Sequence, residues 1–236
     1  MEIRCVWEHN GNDTLLYSID TPGAFTRGAS FEIAVEKMPS EIESYLHWIG
    51  EPIPEHLEVM VIQDAACGLN ICDADSEVLF ESEKAPLCQE EYTALKQLVL
   101  KSAADFLTLY NAIPDPSKCL VPMRNTFYGR VPGTAEEMYQ HTKNVNEYYF
   151  GEIEVAADNE GDIWNCRHRA FINLEQYPNY LENPVFEGSY GESWTLRKVM
   201  RRFLWHDRIH AKAMYRRAVK VFEDQEIPNV FRFNDV

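Results

Sequence analysis

The sequence predicts an α+β N-terminal domain followed by an all-α four-helix bundle. Two observations carry that expectation. Segments rich in β-forming residues are confined to the chain before Pro86, and four segments with helical apolar spacing occupy the remainder. The expected division is a small α+β domain over residues 1–86 and a bundle over 87–236.

Taken in order, EIRCVWEH and TLLYSID read as two short strands, and Asn10, Gly11, Asn12 and Asp13 between them supply a turn, so a hairpin is expected. In TPGAFTRGAS, Pro22, Gly23 and Gly28 punctuate a bend. A helix from Phe31 to Ile49 follows, with Ser30 as N-cap and Pro39 expected to kink or interrupt it. LEVMVIQDA from Leu57 and SEVLFESE from Ser76 are two further candidate strands.

Beyond Pro86 the period changes. From Glu90 to Ala112, residues Leu95, Leu98, Val99, Ala103, Phe106 and Tyr110 recur at near-helical spacing. A loop from Pro114 to Gly133 separates this helix from TAEEMYQHTKNVNEYYFGEI, whose start is marked by Thr134 and Glu137 as a capping box. Asp162 caps a third helix with the stripe Ile163, Cys166, Ala170, Leu174, ended by Pro178. The last helix spans Ser193 to Phe222, after a loop containing Asn183, Pro184, Gly188 and Gly191.

Histidine stands on the apolar seams of two of these helices. The last helix shows Leu196, Val199, Phe203, His206, His210 and Ala213, and the earlier one Met138, His141, Val145 and Tyr148, each alternating three and four. Burying an imidazole without a partner costs about 1–3 kcal/mol, so three on facing seams call for a common cause. A shared metal ion supplies one: His206 and His210 lie one turn apart on one face, and His141 can reach the same ion from across the bundle. The plainer alternative is three separately hydrogen-bonded core histidines. Three neutral imidazoles suit Zn²⁺, Ni²⁺ or another first-row divalent ion, with a fourth position left for solvent.

HDRIH invites comparison with the HExxH of zinc proteases, but Asp207 is one methylene shorter than the glutamate and no third ligand follows on that helix. Asp207 is expected instead to orient a ligand histidine or to pair with an arginine. His168, a weaker candidate for a fourth ligand, falls off its helix's apolar stripe. His47 and His9 read as surface groups, and Tyr148, Tyr149 and Trp205 as core packing beside the seam.

Composition narrows the partners. Hydrophobic residues make up 45% of the chain and aromatics 12%, enough for a folded core. No apolar run approaches the roughly 20 residues of a membrane span, and the N-terminus lacks a secretory signal, so a cytoplasmic location is expected. The six cysteines are scattered without a CxxC pair and read as reduced thiols. A net charge of -16 argues against nucleic acid and anionic membranes as partners. Nine of the 22 basic residues nevertheless lie between Arg197 and Lys220. A solvated, charge-balanced helix face is the expected role, and a docking surface for an anionic cosubstrate the alternative.

The region from about residue 88 to 222 resembles the DinB-like family, also called the YfiT-like metalloenzymes. The matching stretches are TAEEMYQHTKNVNEYYFGEI and TLRKVMRRFLWHDRIHAKAM. In that family a four-helix bundle gives one histidine from its second helix and an HxxxH pair from its last. The resemblance thus implies His141, His206 and His210 as metal ligands, and, because family members include enzymes using low-molecular-weight thiols, metal-dependent thiol transfer or hydrolysis on a small-molecule substrate. A homodimer is compatible with it. SIDTPGAFTRGASFEIAVEKM, through Pro22, Gly23 and Gly28, resembles a HicB-like module; it implies that small α+β fold but not antitoxin function, since no basic DNA-binding tail is present. A non-catalytic metal-dependent sensor or protein-interaction module is the competing expectation.

Overall fold

Strand β1 (Glu2–Asn10) is the spine of the N-terminal sheet. It turns back into β2 (Asp13–Ser18), which pairs antiparallel with it so that Val6 faces Tyr17, as the hairpin reading expects. The computed structural model describes residues 1–122, 125–126 and 129–234. Two more strands complete a sheet of order β3-β2-β1-β4: β3 (Phe25–Gly28), antiparallel to β2, and β4 (Glu58–Ala66), parallel to β1. Parallel pairing of β1 and β4 requires a crossover. Helix α1 (Phe31–Ile49) supplies it, capped by Ser30.

Both faces of β1 and β2 are covered. Cys5 and Leu16 point into the main core with α1, while Val6, Leu15 and Tyr17 point to the opposite face, against Ile71, Phe80 and Trp205. This two-sided burial is why Leu15, Leu16 and Tyr17 follow one another in β2 without alternation.

Three sequence expectations need correction here. The TPGAFTRGAS bend contains a strand, β3. Pro39 does not interrupt α1: Ala34 and Met38 before it and Ile42 and Tyr45 after it are buried in one core, and that packing offsets the roughly 3 kcal/mol cost of an interior proline. SEVLFESE forms no strand, only a short 3₁₀ turn at Glu81–Lys84. Its backbone is satisfied by side chains instead. Glu8 Oε1 accepts the N–H groups of Glu77 and Val78, Gln63 bonds Leu79 and Glu81, and Lys198, Arg201 and Arg202 donate to the carbonyls of Glu77, Val78 and Ser76.

After residue 86 come α2 (Gln89–Asn111), α3 (Ala135–Gly151), α4 (Ile163–Leu174) and α5 (Leu196–Val221). Helices α2 and α3 each pack against both α4 and α5. Among the described residues no helix is long and apolar enough to cross a membrane. Thr134 caps α3 through the Glu137 N–H, but the Glu137 carboxylate takes the Gly133 N–H rather than that of Thr134, so the box is displaced by one residue. Helix α5 begins three residues later than expected because Ser193 and Trp194 pair as extended chain with Phe186 and Glu187 and Thr195 becomes the cap.

The two halves share a core. One hydrophobic cluster includes Ile3, Leu16 and Met38 together with Val99, Phe106 and Phe203. Gly23, at φ +91°, brings the β2–β3 turn against α5 so closely that a Cβ there would stand 2.4 Å from Leu204 Cβ. The basic residues of α5 contribute directly to this junction. Lys198, Arg201, Arg202 and Arg208 are buried, contrary to the expected solvated face. Arg201 pairs with Glu83, and Arg208 Nη2 donates to Glu41 Oε1 at 2.6 Å.

Candidate metal centre

Helices α3 and α5 bring three imidazoles to one point. His206 Nε2 lies 3.1 Å from His141 Nε2 and 3.2 Å from His210 Nε2, and all three candidate ligand atoms fall within 4.8 Å of one another. The α5 pair meets because side chains four residues apart share a helical face, and α3 packs on α5 at the level of His141.

Two short contacts overcommit His206 Nε2, since a neutral ring nitrogen offers either one N–H or one lone pair. A cation at the point of convergence would be served by all three lone pairs. Nitrogens about 2.0–2.1 Å from a tetrahedral ion stand about 3.3 Å apart, close to the two short separations. The donor set therefore fits a divalent first-row metal. Burial also sets the required protonation. His206 is 8% exposed and is held well below the ordinary histidine pKa by desolvation, then by His210 and His141. His210, half-buried, is pushed down to about 3 by desolvation and the neighbouring His141. His141 is exposed at the rim, and protein packed around its ring lowers its pKa too. All three are neutral at pH 7, the form that ligates.

The remaining sequence candidates divide. Asp207 takes the arginine alternative: Arg167 donates to its two oxygens at 2.7 and 3.1 Å, and Ser102 Oγ donates at 2.7 Å. It orients no histidine, and His206 Nδ1 is buried with no hydrogen-bond partner among the described residues. His168 stacks on Trp164, outside the cluster. His47 is exposed, whereas His9 lies within β1, stacked on Trp7 and paired with Asp64.

The centre opens into a cavity of about 1480 Å³. Tyr148, Tyr149 and Trp205, which the sequence reading assigned to packing, line it beside the three histidines. Tyr149 and Trp205 also pack within 6.1 and 6.4 Å of the His206 ring. No family model matches the chain, and neither a curated protein nor a solved structure matches it. The DinB-like and HicB-like likenesses rest on residue patterns alone.

One lining residue escaped the sequence reading. Glu192, within 2.8 Å of Lys198 Nζ, is a carboxylate on the cavity wall in the loop that joins the two short paired segments before α5. Arg202 lines the cavity one turn before His206. It belongs to the basic cluster between Arg197 and Lys220 for which the sequence offered an anionic-cosubstrate surface as the alternative to a solvated face, and it shares one helical face with His206 and His210 at steps of four.

Proposed function

We propose that this chain is a metal-dependent enzyme of the DinB-like class, with α2–α5 as its four-helix bundle and thiol-dependent transferase or hydrolase chemistry on a small molecule. His141, His206 and His210 hold one divalent ion, Zn²⁺ or Ni²⁺, and its remaining position faces the cavity. The reading belongs to a cytoplasmic protein without nucleic-acid or membrane partners. The observation that carries it is the convergence of three neutral Nε2 atoms on the wall of a cavity large enough for a substrate. When bound, such an ion supplies Lewis acidity, lowering the pKa of a coordinated water or thiol toward neutrality.

The protein's own part is positional. His206 and His210 are fixed by α5, the most deeply buried of the helices, and His141 closes the triangle from the rim. Tyr149 and Trp205 form apolar walls that limit water beside His206. Arg202 brings a positive charge to the same wall.

A non-catalytic metal sensor or interaction module is the second reading. It is favoured by one observation: among the described residues, no carboxylate is hydrogen-bonded to any of the three imidazoles, so no general base adjoins them. Substitution with Co²⁺ separates the two. An open position should admit a low-molecular-weight thiol and produce a near-ultraviolet thiolate-to-cobalt band, and a Co²⁺ spectrum unmoved by saturating thiols would contradict the enzyme reading.

A further inference from the structure

Four large cationic side chains on α5 are buried, and three have an acidic partner. Lys198 stands 2.8 Å from Glu192, Arg201 is paired with Glu83, and Arg208 with Glu41. Arg202 has none among the described residues. The residue is 9% exposed, its guanidinium donates through Nη1 to the Ser76 carbonyl at 3.0 Å, and its Nε is buried without a hydrogen-bond partner among the described residues. Three rings surround it, Trp205 at 4.6 Å, Trp194 at 5.6 Å and Tyr149 at 5.7 Å. These contacts orient the guanidinium but do not neutralise it. No carboxylate stands within ion-pair distance of it among the described residues, and Glu192 and Glu8 act on it only at longer range; a buried cation held this loosely is costly, and this one lines the cavity that holds the histidine cluster.

We propose that Arg202 is the anion anchor of this cavity, binding the carboxylate of a small-molecule substrate one helical turn from the three-histidine centre. This assignment deepens the metal-enzyme reading and rests on it for the word substrate. A planar guanidinium matches a carboxylate in shape and charge. A carboxylate is favoured over a phosphate dianion because only one unpaired charge is offered: the nearest cation on the same face, Lys198, already faces Glu192, and Glu8 and Glu192 lie close enough to act on Arg202.

Spacing limits the ligand further. Arg202 and His206 stand one turn apart on α5 and line the same cavity, so a small molecule whose carboxylate is held by Arg202 can extend along that wall to the Nε2 cluster. The substrate class is therefore a small carboxylic acid. Beyond the histidines, Ile209 and Ala213 continue the cavity wall and offer the remainder of such a molecule an apolar surface.

The test is calorimetric titration of the metal-free full-length chain with sodium butyrate, and separately with inorganic phosphate. Without metal, its result does not depend on whether the histidines bind an ion. Saturable butyrate binding is expected in the wild type, weakened about tenfold or more in Arg202→Met. Arg202→Lys keeps the charge but loses the planar fork, and should bind several-fold more weakly than wild type while melting as one cooperative unit. That variant decides the matter if Arg202→Met does not fold. Absence of saturable butyrate binding to the wild type, or affinity in the folded variants equal to wild type, overturns the anchor. Phosphate binding tighter than butyrate overturns the choice of a carboxylate.

Discussion

His141 and His206 are 65 positions apart in sequence, yet their Nε2 atoms stand 3.1 Å apart. Neither ring can satisfy the other fully while His210 competes from 3.2 Å. The arrangement is stable when the three imidazoles are neutral, and this makes stability depend on pH in a definite sense.

The folded-state pKa values of His206 and His210 lie below the unfolded value of 6.5, His210 at about 3. Groups depressed in this way contribute their full stability above pH 6.5, and lose it as pH falls toward their folded pKa, because the unfolded chain then binds more protons. The metal-free protein should therefore lose stability steadily between pH 6.5 and about 3 in urea titrations. His210→Gln should flatten that slope. An unchanged slope would show that His210 titrates normally in the fold.

Asp207 should prove structural. Asp207→Ala leaves Arg167 charged and unpaired in a fully buried site, and the loss of one partner of such a pair costs about 3–5 kcal/mol. Metal affinity per folded molecule should stay close to wild type, since Asp207 bonds Ser102 and Arg167 and no histidine. Denaturation midpoints paired with metal titration check both halves, and tight stability with lost metal binding would reverse the assignment.

Gly23 fixes the sheet on α5. Gly23→Ala must accept a left-handed φ and a clash with Leu204, so a destabilisation of about 2–4 kcal/mol is expected from unfolding curves. Ala at Gly50, where φ is +77° but nothing lies within 4 Å of a built Cβ, should cost only about 1 kcal/mol. Equal costs at the two sites would mean that the close approach contributes nothing.

The sequence revealed those features that local period encodes. The β1–β2 hairpin, the caps at Ser30, Thr134 and Asp162, and the shared face of His206 and His210 were readable because each depends on neighbours within a few residues. The buried seam expected for His141 was not: the buried stripe of α3 runs through Met138, Thr142, Asn146 and Tyr149, which leaves His141 exposed at the rim, and His210 is half-buried. What could not be read depends on distant partners. SEVLFESE has the composition of a strand, yet buried Glu8, Gln63 and the α5 cations occupy its backbone groups. The same cations, mistaken for a solvated face, show charge pattern alone to be blind to burial. Arg202 differs from them only in lacking an acidic partner, which no local pattern could disclose.

Metal stoichiometry tests the central claim most directly. The purified chain, reconstituted with Zn²⁺ and desalted, should carry about one ion per molecule by elemental mass spectrometry. His206→Ala and His210→Ala, each confirmed folded by circular dichroism, should carry little or none, and His141→Ala should bind weakly. Stoichiometric metal retained in both α5 variants would contradict the three-histidine centre.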